Sequence, residues 1–132
     1  MIRSVTPDDA TAVMNLAEAI DFFSPDELHA LREMLTSALA NTGDNCPFWL
    51  TDDDHGLVGI TYCEPERMTD GIWNLLLIAV HPTRQKQGRG AALLRYVEQT
   101  LAARGARVLL VETLGTPDFE HVRAFYRKNG YD

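Results

Sequence analysis

Val80-His81-Pro82-Thr83-Arg84-Gln85-Lys86-Gln87-Gly88-Arg89-Gly90-Ala91-Ala92 is the stretch from which the rest of the chain can be read. It follows Ile72–Val80, a nearly continuous apolar run of the kind that forms a central strand buried on both faces. His81-Pro82-Thr83 stops that strand. An amphipathic helix opens at residues 88–90 and buries Leu93, Leu94, Val97 and Leu101 before Arg104-Gly105 ends it. Gly88 and Gly90 remove side chains where the backbone turns, so consecutive N–H groups can face one point at the positive end of a helix. Arg84, Lys86 and Arg89 bring cations to the same point. Strand, glycines and helix in this order describe an anion site, although glycines serving a plain tight turn leave a similar trace.

Two well-known phosphate loops do not match. The chain has no GxxxxGK[ST], and Ala91-Ala92-Leu93 after Gly90 breaks GxGxxG. Downstream, residues 107–113 read as another buried strand and residues 116–129 as a helix closed by Gly130. Upstream, Phe48-Trp49-Leu50 and residues 57–62 flank the polar turn Asp52-Asp53-Asp54-His55-Gly56. Two earlier helices bury Val13, Met14, Ala17 and Ile20, and then Leu28, Leu31, Leu35 and Leu39. Thr6-Pro7-Asp8, Ser24-Pro25-Asp26 and Thr116-Pro117-Asp118 share one start signal: a capping hydroxyl, a proline that needs no N–H, and an acid on the helix dipole. Ser24 with Glu27 completes a capping box. The element order is β-α-α-β-β-β-α-β-α, a mixed α/β layer without internal repeat or long linker.

The 132 residues suit one domain. A formal charge of −7 disfavours a general binder of nucleic-acid backbone. The charge is uneven: residues 1–79 hold three basic and fourteen acidic side chains, and residues 80–132 hold nine basic and five acidic. That split places an anionic ligand on the second half, against the plainer reading of solvated surface charge. No apolar run approaches the ~20 residues that span a bilayer, and no signal-type core follows Met1, so the expected location is the cytoplasm. With Asp52-Asp53-Asp54-His55-Gly56 as the hairpin turn, counting register sets Cys46 roughly opposite Cys63, where a disulfide is conceivable; reduced thiols suit a cytoplasmic protein better.

Gln85-Lys86-Gln87-Gly88-Arg89-Gly90, written Q-x-x-G-x-G, resembles the pyrophosphate motif of the GNAT superfamily of acyl-CoA-dependent N-acyltransferases. Val80-His81-Pro82 is similar to the end of that family's fourth strand. Ala124-Phe125-Tyr126-Arg127-Lys128-Asn129-Gly130-Tyr131 resembles its A-x-x-x-Y-x-x-x-G-[FY] helix. The resemblance runs from Ile2 to Gly130. It implies a single such domain over residues 1–132, with a mixed, mostly antiparallel central sheet and helices on both faces. It further implies an N-acetyltransferase that takes an acetyl group from acetyl-CoA, without a metal, and delivers it to a primary amine of a small molecule or peptide. A weak or inactive CoA-binding module is the alternative.

By the same resemblance, backbone groups of Ile78, Ala79 and Val80 would bind the pantetheine arm between the fourth and fifth strands. Those of Gln85, Lys86, Gln87, Gly88, Arg89, Gly90 and Ala91 would hold the pyrophosphate, and Tyr126 would protonate the departing thiolate. The plain alternative for Tyr126 is a core aromatic. Several relatives carry a glutamate six residues before the position of Val80, and here that residue is Asn74, which cannot act as a base. Glu112, a carboxylate ending an apolar run, is the substitute, or else a structural hydrogen-bonded acid. His81 suits a turn better than a base, and Phe119 stands where many relatives have a cofactor-touching asparagine. Acidic residues of the first half, Glu64 and Glu66 among them, would attract a cationic acceptor or merely keep the surface soluble, and Phe22, Phe23 and Trp73 line a pocket or the core. The sequence ends where the family continues with two more strands. The expectation is a truncated form, or a homodimer whose partner pairs with the fifth strand.

Overall fold

Five strands in spatial order β1-β2-β3-β4-β5 form one sheet in the computed structural model, which describes residues 1–20, 23–41, 43, 45–66, 71–85 and 87–111. They are β1 (Ile2–Ser4), β2 (Phe48–Asp53), β3 (Leu57–Pro65), β4 (Ile72–Val80) and β5 (Val108–Val111). Every junction is antiparallel except β4–β5, so the sheet is mixed and mostly antiparallel, as expected. A parallel neighbour needs a crossover, and α3 (Arg89–Ala103) supplies it. The helix expected over residues 116–129 and the last two residues of the fifth strand lie outside the described residues.

Alternation along the strands sorts the core into two layers. Trp49, Ile60, Tyr62 and Leu77 meet Val13, Leu16, Ala17, Leu31 and Leu35 from α1 (Ala10–Ile20) and α2 (Pro25–Ala40). On the other face Leu50, Cys63, Trp73, Leu75 and Leu109 meet Leu94, Val97 and Leu101 of α3. Each such leucine contributes about 1.5–3 kcal/mol on burial, which makes the apolar stripes the main force holding the layers together.

The helix starts differ from one another. Ser24 Oγ accepts from the Glu27 N–H at 3.2 Å and Glu27 Oε1 accepts from the Ser24 N–H at 3.0 Å, the expected capping box. At Thr6 a 3₁₀ turn, Pro7–Asp9, precedes α1, and the hydroxyl donates to Asp9 Oδ2 at 3.0 Å instead of capping backbone. Arg3 donates to both Asp9 oxygens, at 2.7 and 3.0 Å, and to Asp53 Oδ2 at 3.0 Å, which ties β1 to the β2–β3 hairpin. The Arg3 guanidinium holds the Asp9 carboxyl well below the usual range. Asp9→Asn is therefore expected to cost about 1–2 kcal/mol at pH 7. A depressed carboxylate contributes stability above its unfolded pKa and loses it as pH falls toward the folded value. The gap between parent and variant should begin to close below about pH 4. Thermal melts between neutral and acidic pH check this, and a gap independent of pH would contradict it.

The hairpin corrects the register count. β2 runs through Asp53, so the turn is Asp54-His55-Gly56, with His55 at φ 58° and Gly56 at φ 129°. The pairs are Trp49↔Tyr62 and Thr51↔Ile60, two residues away from the count, and Cys63 lies opposite Phe48. Both cysteines are free, and burial pushes the Cys63 thiol up. On β4 the pairs Tyr62↔Leu77 and Cys63↔Leu75 leave Leu76 as an extra residue, a bulge in the middle of the sheet.

Candidate active site

Beyond Val80 the chain makes a 3₁₀ turn, Pro82–Arg84, held by His81. His81 Nδ1 accepts from the Thr83 N–H at 3.1 Å, and the Arg84 N–H donates to the His81 carbonyl at 2.8 Å, so the ring is committed to the turn. Gly88 then takes φ +76°, ψ 9° at the N-cap of α3. Any side chain would strain there, although a Cβ would meet none of the described residues within 4 Å. The glycine is demanded by conformation and leaves open space above it. No described side chain caps this helix, and Ala92 donates to Gly88 O at 3.0 Å. By helix geometry the N–H groups of Arg89, Gly90 and Ala91 remain for an acceptor from outside.

The cations around this turn do not point at a free anion. Arg89 donates to Asp52 Oδ2 at 3.0 Å, Asp54 Oδ2 at 2.7 Å and Gln87 Oε1 at 3.0 Å, while Arg84 reaches Asp54 Oδ2 at 3.0 Å. The guanidiniums of Arg89 and Arg84 lower the Asp54 carboxyl, and Asp52 with Asp54 raises Arg89. Of the three cations that the sequence brings to this turn, Arg84 and Arg89 are thus paired with carboxylates of the hairpin. What remains attractive to phosphate is the peptide N–H array at the helix end. Lys86 lies outside the described residues.

Beside this turn one side of β4 is uncovered among the described residues. The His81 N–H bonds Val58 O of β3 at 2.8 Å, so by alternation the backbone of Ala79 faces β3 and that of Ile78 and Val80 faces away. Gln85 Nε2 donates to the Val80 carbonyl at 3.1 Å on that outer side. Among the described residues β5 pairs with β4 only from Ile72 to Leu75. Among the described residues the peptide groups of Ile78 and the N–H of Val80 thus face a side where an extended guest can add on like a strand.

On the α1–α2 face of the sheet, Asn74 is 6% exposed and donates through Nδ2 to Glu66 Oε2 at 2.6 Å. It lies opposite Glu64 on β3 and Leu110 on β5. Glu64 Oε2 accepts from the Tyr62 hydroxyl at 2.9 Å. Sequence reading counts Glu64 and Glu66 only as general acidity and does not join them to Asn74. The available signal is the spacing of Tyr62 and Glu64 two apart on one face of β3, with Glu66 just past its end. Tyr126, Glu112, Phe119 and Phe22 lie outside the described residues. Among the described residues no group of three or more His, Cys, Asp or Glu side chains could hold a metal, and no helix is long and apolar enough to cross a membrane.

Comparison with known proteins places this geometry among acetyltransferases. A model described as the acetyltransferase (GNAT) domain matches residues 44–132. A protein of Desulfovibrio desulfuricans assigned to the GNAT family is 30% identical, with a TM-score of 0.78 over 100% of this chain and 84% of that one. A GNAT family acetyltransferase of Brucella melitensis, solved with acetyl-CoA, is 24% identical with a TM-score of 0.69 over 100% of this chain and 82% of that one. The PaiA N-acetyltransferase of Thermoplasma acidophilum, solved with coenzyme A, is 16% identical with a TM-score of 0.66 over 98% and 87%. The latter two show likeness of fold. No curated protein matches the chain.

Proposed function

Because the chain belongs to the GNAT acetyltransferase family, we propose that it moves an acetyl group from acetyl-CoA to a primary amine of a small molecule or peptide by direct attack. The observation that carries this reading is the uncapped first turn of α3, entered through left-handed Gly88 and set beside the outward peptide groups of Ile78 and Val80. Acetyl-CoA, the cosubstrate, supplies the thioester whose carbonyl carbon the amine attacks. The N–H groups from Gln85 to Ala91, that of Lys86 included, hold the pyrophosphate. Ile78 and Val80, with Ala79 between them, bind the arm and orient the carbonyl.

The reaction needs a neutral amine and a protonated leaving group. Tyr126 donates the proton to the departing sulfur, and Glu112 takes the one the amine gives up. The protein works in the cytoplasm, uses no metal and acts on neither nucleic acid nor membrane; a homodimer would cover β5, the outer strand among the described residues. Isothermal titration is expected to show binding of acetyl-CoA and CoA, and thiol release should depend on an added amine from a panel of polyamines, aminoglycosides, amino acids and peptides. Absence of binding at millimolar ligand would sink the reading. Binding without release across the panel would instead assign the chain as a CoA-binding module.

A further inference from the structure

One carboxylate oxygen fastens both ends of the turn that leads into α3. Asp54 Oδ2 accepts from Arg89 at 2.7 Å and from Arg84 at 3.0 Å, and these two residues flank 85–88, the segment that contains left-handed Gly88. Two more bonds act within it: Arg89 Nε donates to Gln87 Oε1 at 3.0 Å, and Gln85 Nε2 donates to the Val80 carbonyl at 3.1 Å. Beneath the turn, Asp52, Gly59 and Val80 lie side by side across β2, β3 and β4. The start of α3 is laid over that row. Arg89 reaches Asp52 Oδ2 at 3.0 Å, a Cβ on Gly59 would come within 2.9 Å of Leu93 Cδ1, and one on Gly90 would meet Val80 Cγ2 at 4.0 Å. The Asp52 side chain is only 7% exposed, so moving Arg89 onto a phosphate would take the cation away from a buried carboxylate oxygen. The arginines therefore stay on the hairpin.

We propose that Asp54 is a positioning residue for the cosubstrate: through Arg84 and Arg89 it holds residues 85–88 in the shape that aims the N–H groups of the turn and of the first turn of α3 at one pyrophosphate. The proposal rests on the acetyl-transfer reading, which brings a pyrophosphate to this turn. Arg84 and Arg89 act through the backbone and touch no phosphate. Peptide N–H groups bind an anion jointly only while they converge, and an unfastened turn spends part of its time in other shapes. Coulomb's law alone gives the opposite sign. A carboxylate beside an anion site repels the ligand, so its deletion would tighten binding. Positioning and simple repulsion thus differ in the direction of the effect.

Calorimetric titration with CoA reads that direction. Asp54→Asn, which keeps the shape and removes the charge, should raise Kd about 10-fold, the change expected when the turn keeps its binding shape about one-tenth of the time. Asp53→Asn removes the same charge from the same hairpin, but Asp53 pairs with Arg3, so its Kd should fall or stay within about 2-fold of the parent. Arg84→Gln should weaken binding on its own and add almost nothing to Asp54→Asn, because the two substitutions break one shared contact. In turnover, Asp54→Asn should raise KM for acetyl-CoA about 10-fold with kcat within about 2-fold of the parent. It should leave kcat/KM unchanged for S-acetylpantetheine, a donor that lacks the pyrophosphate. Equal losses with both donors would mark damage to the fold and overturn the proposal. So would unchanged or tighter CoA binding in Asp54→Asn, or losses fully additive with those of Arg84→Gln. If CoA binding depends on Asp54 in this way while no amine is acetylated, the positioning role stands and the acetyl-transfer reading falls. A parent protein that binds no CoA would overturn both.

Discussion

Gly90→Val should weaken acetyl-CoA binding by about 100-fold while leaving the domain folded, because two or more charge-assisted backbone contacts of ~1.5–3 kcal/mol each would be obstructed. Gly90 sits in the first turn of α3, and among the described residues a Cβ there meets only Val80 Cγ2, at 4.0 Å, an ordinary contact. The branched methyls then stand among the free N–H donors of the turn. Valine is also no worse a helix former than glycine, so the melting temperature should move by no more than about 3 °C. Calorimetric titration beside a thermal melt separates the effects. Parallel loss of binding and stability would reduce the loop to a plain turn. Gly88→Val is a poorer test: its left-handed backbone strains a valine by about 1–2 kcal/mol and costs stability as well.

Tyr126→Phe should lower kcat about 10- to 100-fold with CoA affinity nearly unchanged, since it deletes one proton donor and keeps the ring. Negative charge on sulfur develops only as the C–S bond breaks, so the donor's contribution appears in the chemical step and not in binding. Single-turnover kinetics make that step visible. An unchanged rate under those conditions would reassign Tyr126 to core packing.

Much of this protein was legible in the sequence alone. The apolar stripes of α1, α2 and α3, the buried run of β4 and the capping box at Ser24 depend on neighbours a few residues away, and local periodicity records them directly. Gly88 belongs with these, because a positive φ at a helix entry is a property of one residue. The motifs around Gly88 and Tyr126 carried the family, and the match over residues 44–132 agrees.

Other features were decided only by the tertiary structure. Arg84 and Arg89 look like phosphate ligands beside their glycines, yet the hairpin carries Asp52 and Asp54 across 30 to 37 residues of chain to neutralise them. A cation takes whichever carboxylate the fold brings near, and sequence spacing does not encode that proximity. The register of β2 on β3 moved by two residues because the strands extend to the hairpin tip, which separated Cys46 from Cys63. The bulge at Leu76 aligns Asn74 with Glu64 across β3, and the Asn74 amide closes on Glu66. Strand pairing is set by the sum of contacts over a whole sheet, so one inserted residue changes which side chains meet while leaving each strand's own pattern intact.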